Sequence, residues 1–186
     1  MLLAKNFYLL VLLGTVCSLF VVSITNGGLL MAAPAKEKAK ANLAGNNEIP
    51  PASTTAEGVA KLKVKESKIE YKINITGISA AKGAHIHLGK TNENGEVVVN
   101  LLTKNGVKKT PSGMYINGTI KDTNLSGPMK GKSLSDLVSA MDSGDTYVNV
   151  HTEKFPNGEI RGQIEVSASN QTSSDNQTVT ASNMTS

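Results

Sequence analysis

Short runs in which apolar and polar residues alternate recur through the middle of this chain. The strictest run is residues 68–76, where every second residue is isoleucine or tyrosine and the residues between are polar. Successive side chains of a β-strand point to opposite faces, so this period predicts strands that bury one face. Turn sequences such as Asn94-Gly95 separate the runs. We therefore predict an all-β fold, an antiparallel Greek-key β-sandwich or barrel of about eight strands.

One segment follows a different period and predicts a helix. Between Leu134 and Met141 the apolar residues stand at the i, i+3, i+4 and i+7 positions of a short amphipathic helix. Ser133, directly before this segment, is placed to cap the first turn. The sequence thus predicts one short helix over residues 133–141, and the rest of the folded part is predicted to be strands and turns.

Three further predictions concern the order of the strands. Residues 58–65 and 68–76 are separated by two residues only, which predicts a hairpin. Residues 36–40 are rich in lysine and are interpreted as a basic linker. Residues 42–51 end in two prolines, which cannot donate to a ladder, and are interpreted as an edge strand running into a turn. The last strand is predicted over residues 159–166.

The ends of the chain differ in composition from its centre and predict three segments. Lys5 precedes a long apolar run without charge, and Ala33-Pro34-Ala35 offers the small residues of a cleavage site. Residues 1–35 are therefore predicted to be either a signal peptide or an uncleaved membrane anchor, and both predict that the rest is exported. Residues 36–166 form the predicted β domain. Residues 167–186, rich in serine, threonine and asparagine, are predicted to be a disordered tail.

Asn-x-Ser/Thr sequons occur both in the domain and in the tail. They are candidate glycosylation sites if the host glycosylates asparagine, and they then require surface exposure. The six acceptor residues are Asn74, Asn117, Asn124, Asn170, Asn176 and Asn183.

The three histidines of the chain all lie on two predicted strands. His85 and His87 share a face opposite their apolar neighbours, and His151 likewise opposes the valines beside it. Two residues along a strand span about 6.6 Å, which separates the backbones of His85 and His87. At that spacing the two imidazoles can lean toward one metal ion, to which each nitrogen would bind at about 2 Å. If the two strands are adjacent, the three rings converge on the outside of the barrel. They then form a metal site that favours copper over zinc.

Four other side chains are predicted to surround the histidines. Arg161 is interpreted as an anion-attracting group beside the site, with Glu159, Asn149 and Tyr147 near it. A simpler alternative makes the arginine and glutamate a surface ion pair and the other two sheet-face hydrogen-bonding groups. In that alternative the histidines form hydrogen bonds to neighbouring residues and bind no metal.

Composition excludes several function classes. The formal charge of +4 comes from scattered lysines rather than a basic block interleaved with aromatic residues, so nucleic-acid binding is not expected. The lone cysteine, Cys17, lies in the N-terminal apolar run, which leaves the folded domain without a disulfide or a thiolate ligand. No Ser-His-Asp set, phosphate-binding loop or Cys-His zinc spacing is present, and no catalytic residue is assigned.

Ordered sequence blocks over residues 40–166 resemble the CHRD domain, the module repeated in chordin and found singly in many exported microbial proteins. The resemblance implies an all-β domain outside the cytoplasm and no settled biochemical activity. The matching blocks are Leu43-x-Gly45-x-Asn47-Glu48-x-Pro50-Pro51, Gly58, Ala84-His85-Ile86-His87-x-Gly89, Asn94-Gly95-x-Val97-Val98-x-x-Leu101, Tyr147-Val148-Asn149-Val150-His151-Thr152 and Phe155-Pro156-x-Gly158-Glu159-Ile160-Arg161-Gly162.

A weaker resemblance connects the histidine strands with copper/zinc superoxide dismutase, whose β-barrel binds copper through a His-x-His strand and a later Val-His strand. His85, His87 and His151 correspond to those ligands, and Arg161 is similar in placement to that enzyme's substrate-guiding arginine. This chain has no fourth histidine to bridge to zinc, no zinc loop and no disulfide. The resemblance therefore implies a copper site and leaves dismutase catalysis in question.

Three function classes follow from these patterns. The first is an exported binding module with a three-histidine copper-type site. The second is an adhesion or protein-interaction module without metal, as the role of chordin in binding growth factors implies. The third is a dismutase-like copper oxidoreductase. The expected partners are an extracellular protein or a small ligand, and the membrane if the N-terminal segment stays uncleaved.

Overall fold

The computed structural model describes residues 38–167, which form ten β-strands, one α-helix and three short 3-10 turns. The predicted leader or anchor, residues 1–35, and the predicted tail beyond Ser167 lie outside the described residues. Within residues 38–167 no helix has the length and apolar character needed to cross a bilayer. The strands are β1 (Lys38–Ala44), β2 (Glu57–Lys65), β3 (Lys68–Thr76), β4 (Gly83–Leu88), β5 (Val97–Asn100), β6 (Val107–Thr110), β7 (Gly113–Ile120), β8 (Thr146–His151), β9 (Ile160–Gln163) and β10 (Glu165–Ser167), and the helix is α1 (Leu134–Asp142).

All strands belong to one antiparallel sheet in the order β5-β4-β8-β9-β1-β2-β3-β7-β6, with β10 also paired to β1. The connections from β3 to β4, from β5 to β6 and from β7 to β8 each cross from one half of this order to the other. Long connections of this kind are those of a Greek-key fold. The prediction of an all-β antiparallel protein with one short helix is confirmed.

The sheet curls into a half-barrel around a core of aliphatic side chains. Ile73, Ile86 and Val148 are fully buried and come from strands in both halves of the sheet. Tyr71 spans the core, and its Oη donates to the carbonyl of Leu101 over 2.8 Å. This bond connects β3 with the segment that follows β5, so the two halves of the sheet face each other across the core.

The local elements with strict sequence patterns form as predicted. The hairpin of β2 and β3 pairs Lys65 with Lys68 across its two-residue turn. Helix α1 begins after Ser133, whose Oγ accepts from the backbone N–H of Asp136 while that carboxylate accepts from the backbone N–H of Ser133. This reciprocal capping box satisfies two polar groups at the helix start. The apolar side of the helix, Leu137 included, is buried.

The interpretation of the first segment was wrong. Lys38–Ala44, which begins within the predicted linker, is a strand in the middle of the sheet, paired with β2 on one side and with β9 and β10 on the other. Its lysines alternate with alanines that are almost completely buried, so the period was present but was carried by small side chains. Residues 45–56 form no strand, and the two prolines lie in a long loop instead of at a sheet edge.

Two further differences raise the strand count from about eight to ten. The predicted last strand divides at Ile164, whose backbone N–H donates to the carbonyl of Thr146. Gln163 before it still pairs with β8, whereas Glu165 after it pairs with β1. Strand β6 had not been predicted, because three of its four residues are exposed and it has no alternating period.

Candidate metal centre

The pairing of β4 with β8 determines where the histidines lie. Gly83 stands opposite His151 and His85 stands opposite Asn149, with His87 two residues further along β4. The residues between them on both strands are fully buried in the core. All three imidazoles therefore project from the outer face of neighbouring strands, as the alternation predicted.

The three imidazole rings meet at one place. The ring centroids of His85 and His151 are 4.9 Å apart, those of His85 and His87 are 5.6 Å apart, and those of His87 and His151 are 6.0 Å apart. One ring nitrogen from each residue lies within 4.8 Å of those from the other two. Nitrogens bound to one ion at about 2 Å lie at most about 4 Å apart, so small side-chain rotations complete a three-nitrogen site.

Two backbone carbonyls select the tautomers of the histidines. Nδ1 of His87 lies 2.9 Å from the carbonyl oxygen of Gly95, and Nδ1 of His151 lies 3.0 Å from that of Pro156. Because a carbonyl only accepts, each Nδ1 carries the proton and each Nε2 keeps a free lone pair. Such carbonyl contacts also orient metal-ligating histidines in known metal sites.

Three buried nitrogens at this place have no hydrogen-bond partner. They are Nδ1 of His85, Nε2 of His87 and Nε2 of His151. Buried polar atoms are nearly always paired, because an unpaired one loses the hydrogen bonds that water would give it. One unpartnered nitrogen on each of three clustered rings is the pattern expected of a metal ligand set.

The surroundings of the rings leave space for a ligand. A Cβ atom at Gly83 would lie only 2.7 Å from Cε1 of His85, so the glycine makes room for the rings. A pocket of about 370 Å³ opens over the three histidines. Lys82 and Glu153 stand at its rim and form an exposed ion pair of 3.5 Å.

Burial keeps two of the rings neutral. Burial, with smaller contributions from the neighbouring His151 and His87, lowers the pKa of His85 to about 4. Burial also lowers the pKa of His87, although the hydrogen bond to Gly95 opposes that change. Neutral imidazole is the form that binds a metal, so at neutral pH protons do not compete for these two rings.

A stack of planar groups supports His87 from one side. The rings of His87 and Tyr147 are nearly parallel, with centroids 4.8 Å apart and an interplanar angle of 9°. The guanidinium carbon of Arg161 lies 3.5 Å from the centroid of the same tyrosine ring. Two groups cannot occupy one face of the ring, so the tyrosine lies between the histidine and the arginine. Its Oη accepts from the backbone N–H of Gly95 over 3.1 Å, which ties the stack to the loop that also bonds His87.

Arg161 fastens the loop of residues 89–96 over the sheet. Its Nη2 donates to the carbonyls of Lys90 and Glu93 over 3.0 and 2.8 Å, and its Nη1 donates to Oδ1 of Asn94 over 3.2 Å. The side chain is only 2% exposed and does not line the pocket over the histidines. The structure thus gives the arginine a positioning role where the sequence predicted an anion-attracting group at an open site.

The surface ion pair considered for Arg161 and Glu159 is absent from residues 38–167. Glu159 is instead buried, and its two carboxylate oxygens accept from the hydroxyls of Thr54 and Thr152 over 2.7 and 2.6 Å. Both threonines belong to loops that cover the outer face of the sheet. The sequence placed the glutamate on the correct face but could not show that loops cover that face.

Glu48 was missed by sequence reasoning and lies close to this group. Its side chain is 6% exposed, and its Oε2 accepts from Nδ2 of Asn149 over 3.3 Å. Burial raises the pKa of this carboxyl group to about 7, although the charge of Arg161 and the bond from Asn149 oppose the change. The Asn47-Glu48-x-Pro50-Pro51 block was the available signal, but it had been interpreted as part of a strand.

The domain sequons differ in exposure. Asn74 and Asn124 are exposed, and Asn117 is half-buried on β7. The tail sequons at residues 170, 176 and 183 lie outside the described residues.

Comparison with known proteins gives a family match over most of the described chain. The model of the CHRD domain family matches residues 39–164. Chordin of Xenopus laevis is 31% identical over 139 residues, an alignment that covers 70% of this chain and 13% of chordin. The chain thus spans about an eighth of the length of that relative. The resemblance inferred from the motif blocks is confirmed by the family match.

Proposed function

Since this chain belongs to the CHRD domain family, we propose that it is an exported binding module whose three histidines hold one copper-type ion. The observation that carries the proposal is the set of three buried, unpartnered ring nitrogens on His85, His87 and His151. A surface cluster without a ligand would keep these nitrogens in contact with water. The tautomers imposed by the two carbonyls leave the lone pairs free for a metal.

The donor set favours copper. Neutral imidazole is a borderline ligand, and affinity at a nitrogen site rises from the early divalent metals to copper(II) and falls again at zinc. Three protein nitrogens leave a position that water or a small ligand can fill through the pocket of about 370 Å³. Tyr147, Asn149 and Arg161 act around the site by holding the rings and the covering loop in place.

The exported location rests on the N-terminal sequence and the family. The charge-free apolar run before residue 25 and the polar body that follows it fit a secreted or surface-anchored protein. We propose an extracellular protein as its partner, in line with its similarity to part of chordin. Protease added to intact cells should digest the domain from residue 36 onward. Protection until the cells are lysed would contradict the exported location.

Measurements of copper content, copper binding and superoxide removal distinguish this proposal from two other functions. A metal-free interaction module would show neither copper in the purified protein nor tight copper binding. A dismutase-type oxidoreductase would bind copper and also remove superoxide. The position of Arg161 argues against the latter, because all of its hydrogen bonds described above go to loop oxygens away from the pocket.

Calorimetric titration of the full chain with copper(II) tests the proposal. The parent should bind one equivalent with a dissociation constant well below micromolar, and His87→Ala and His151→Ala should each weaken binding at least tenfold. Tyr147→Phe is the matched control, because it removes the hydroxyl bonded to Gly95 but keeps the stacked ring and all three imidazoles. Binding no tighter than micromolar, or equal binding by parent and histidine variants, would contradict a three-histidine site.

A further inference from the structure

A second pocket lies apart from the three histidines, between two loops on the outer face. It has a volume of about 300 Å³ and is lined by residues 48–53 and 154–158. Its walls include Pro50, Pro51 and Phe155, which present apolar surface, and Glu48 contributes the buried carboxyl group. This volume is at the small end of the range for ligand pockets, so it suits one side chain better than a large molecule.

The carboxyl group of Glu48 has an unused acceptor. Its Oε1 is buried without a hydrogen-bond partner, and its Oε2 receives only the amide of Asn149 at 3.3 Å. The three ion pairs among residues 38–167 do not include Glu48, and Arg161 directs its donors to the loop of residues 89–96. A buried carboxyl oxygen without a donor is costly, so its presence beside a pocket points to a ligand that donates.

Gly158 packs close to this carboxyl group and leaves no room for a side chain of its own. A Cβ atom at this position would lie 2.7 Å from each oxygen of Glu48 and 2.8 Å from Nδ2 of Asn149. The backbone of Gly158 has a φ of 137°, a conformation that other residues rarely adopt. Both facts exclude a side chain at position 158, and Glu48 and Gly158 both line the pocket.

We propose that this pocket binds an arginine side chain of a protein partner, with the guanidinium group donating to Glu48. A guanidinium fork matches a carboxylate, is weakly hydrated and stacks on aromatic rings, whereas an ammonium group is strongly hydrated. Phe155 already has a cation at the rim, since Nζ of Lys154 lies 5.1 Å from its ring centroid. The proline walls suit the methylene stem of the arginine. The inference goes beyond the proposed metal site, which shares with this pocket only Pro156, whose carbonyl oxygen contacts His151, and the neighbouring Asn149.

The test follows backbone amide NMR shifts of the full chain at pH 8, where Glu48 is ionised. The probe is N-acetyl-arginine methylamide, and the neutral citrulline analogue is its control. We expect saturable shifts confined to residues 48–53 and 154–158, with a millimolar dissociation constant, and none with citrulline. Glu48→Gln should weaken binding at least tenfold while keeping copper binding intact, so a failure here is separable from a failure of the metal site.

Two further variants keep the proposal falsifiable if Glu48→Gln changes the fold. Lys154 is exposed, and Lys154→Glu should tighten arginine binding about threefold by replacing a repelling charge with an attracting one. Glu57→Gln, an exposed change on β2, should leave binding unchanged. Shifts absent at both loops, or equal binding by parent and Glu48→Gln, would overturn the proposal. So would a free arginine that binds more than tenfold tighter than the blocked form, because the occupant would then be the amino acid itself.

Discussion

Burial shifts the pKa values of Glu48 and His85 in opposite directions, so the two residues give the folded protein opposite dependences of stability on pH. The carboxyl pKa of Glu48 rises from 4.5 to about 7, and the imidazole pKa of His85 falls from 6.5 to about 4. Folding therefore favours the neutral form of both groups. The stabilising contribution of neutral His85 is lost as the pH falls from 6.5 toward 4. That of protonated Glu48 is complete below pH 4.5 and is lost as the pH rises toward 7.

Replacement of Glu48 by glutamine should remove the pH dependence of stability that comes from Glu48 and leave the one that comes from His85. Glu48→Gln removes a group that must ionise in a buried place, and the glutamine oxygen can still accept from Asn149. We expect the metal-free variant to exceed the parent in free energy of unfolding by up to about 3 kcal/mol at pH 8, and to match it near pH 4.5. Urea unfolding at both pH values measures this. A gap of the same size at both would show that the carboxyl group titrates normally in the folded protein.

At the scale of single residues, the sequence predicted which face of the sheet a side chain lies on better than it predicted whether that side chain is buried. The alternation around His85 and His151 was enough to place both rings on the outer face, because the apolar neighbours must enter the core. The same alternation placed Arg161 on that face and so suggested exposure. Its burial depends on carbonyls of residues 89–96, and no local pattern shows where a loop will fold back.

The elements that formed as predicted are those whose capping or turn residues act locally. Helix α1 illustrates this, since the capping box of Ser133 and Asp136 depends on residues three positions apart. We expect Ser133→Ala to lower the free energy of unfolding by about 1 kcal/mol, because the side chain no longer satisfies a backbone N–H of the first turn. Chemical denaturation measures the loss. Ser135→Ala, an exposed change within the helix, is the control, and equal effects of both changes would contradict the capping role.

Strand β1 shows why another element was assigned incorrectly. Its buried positions are mainly alanines, which bury little area and have no preference for strands. Its central place depends on pairing with β2, β9 and β10, which lie far away in sequence. A pattern limited to seven residues could not distinguish this strand from a lysine-rich linker.

At the scale of the whole molecule, the half-barrel buries one face of the sheet in its core and covers part of the other face with loops. Residues 45–56, 89–96 and 152–158 lie over β4, β8 and β9. Arg161 donates to carbonyls of the second loop, and Glu159 accepts from one threonine in each of the other two, so all three loops are attached to the sheet. The sequence predicted the strand faces and the convergence of the histidines. It could not predict the covering loops, because their positions result from contacts between segments distant in the chain.

The electron paramagnetic resonance spectrum of the copper(II)-loaded full chain tests the three-histidine centre most directly. The account predicts one copper species with nitrogen hyperfine structure from three imidazoles, which falls to two imidazoles in His151→Ala and stays at three in Tyr147→Phe. The matched pair is informative because His151 and Tyr147 lie on the same face of β8, and only the first offers an unpartnered nitrogen. A spectrum with fewer than three imidazoles, or one that is unchanged in His151→Ala, would contradict the central claim.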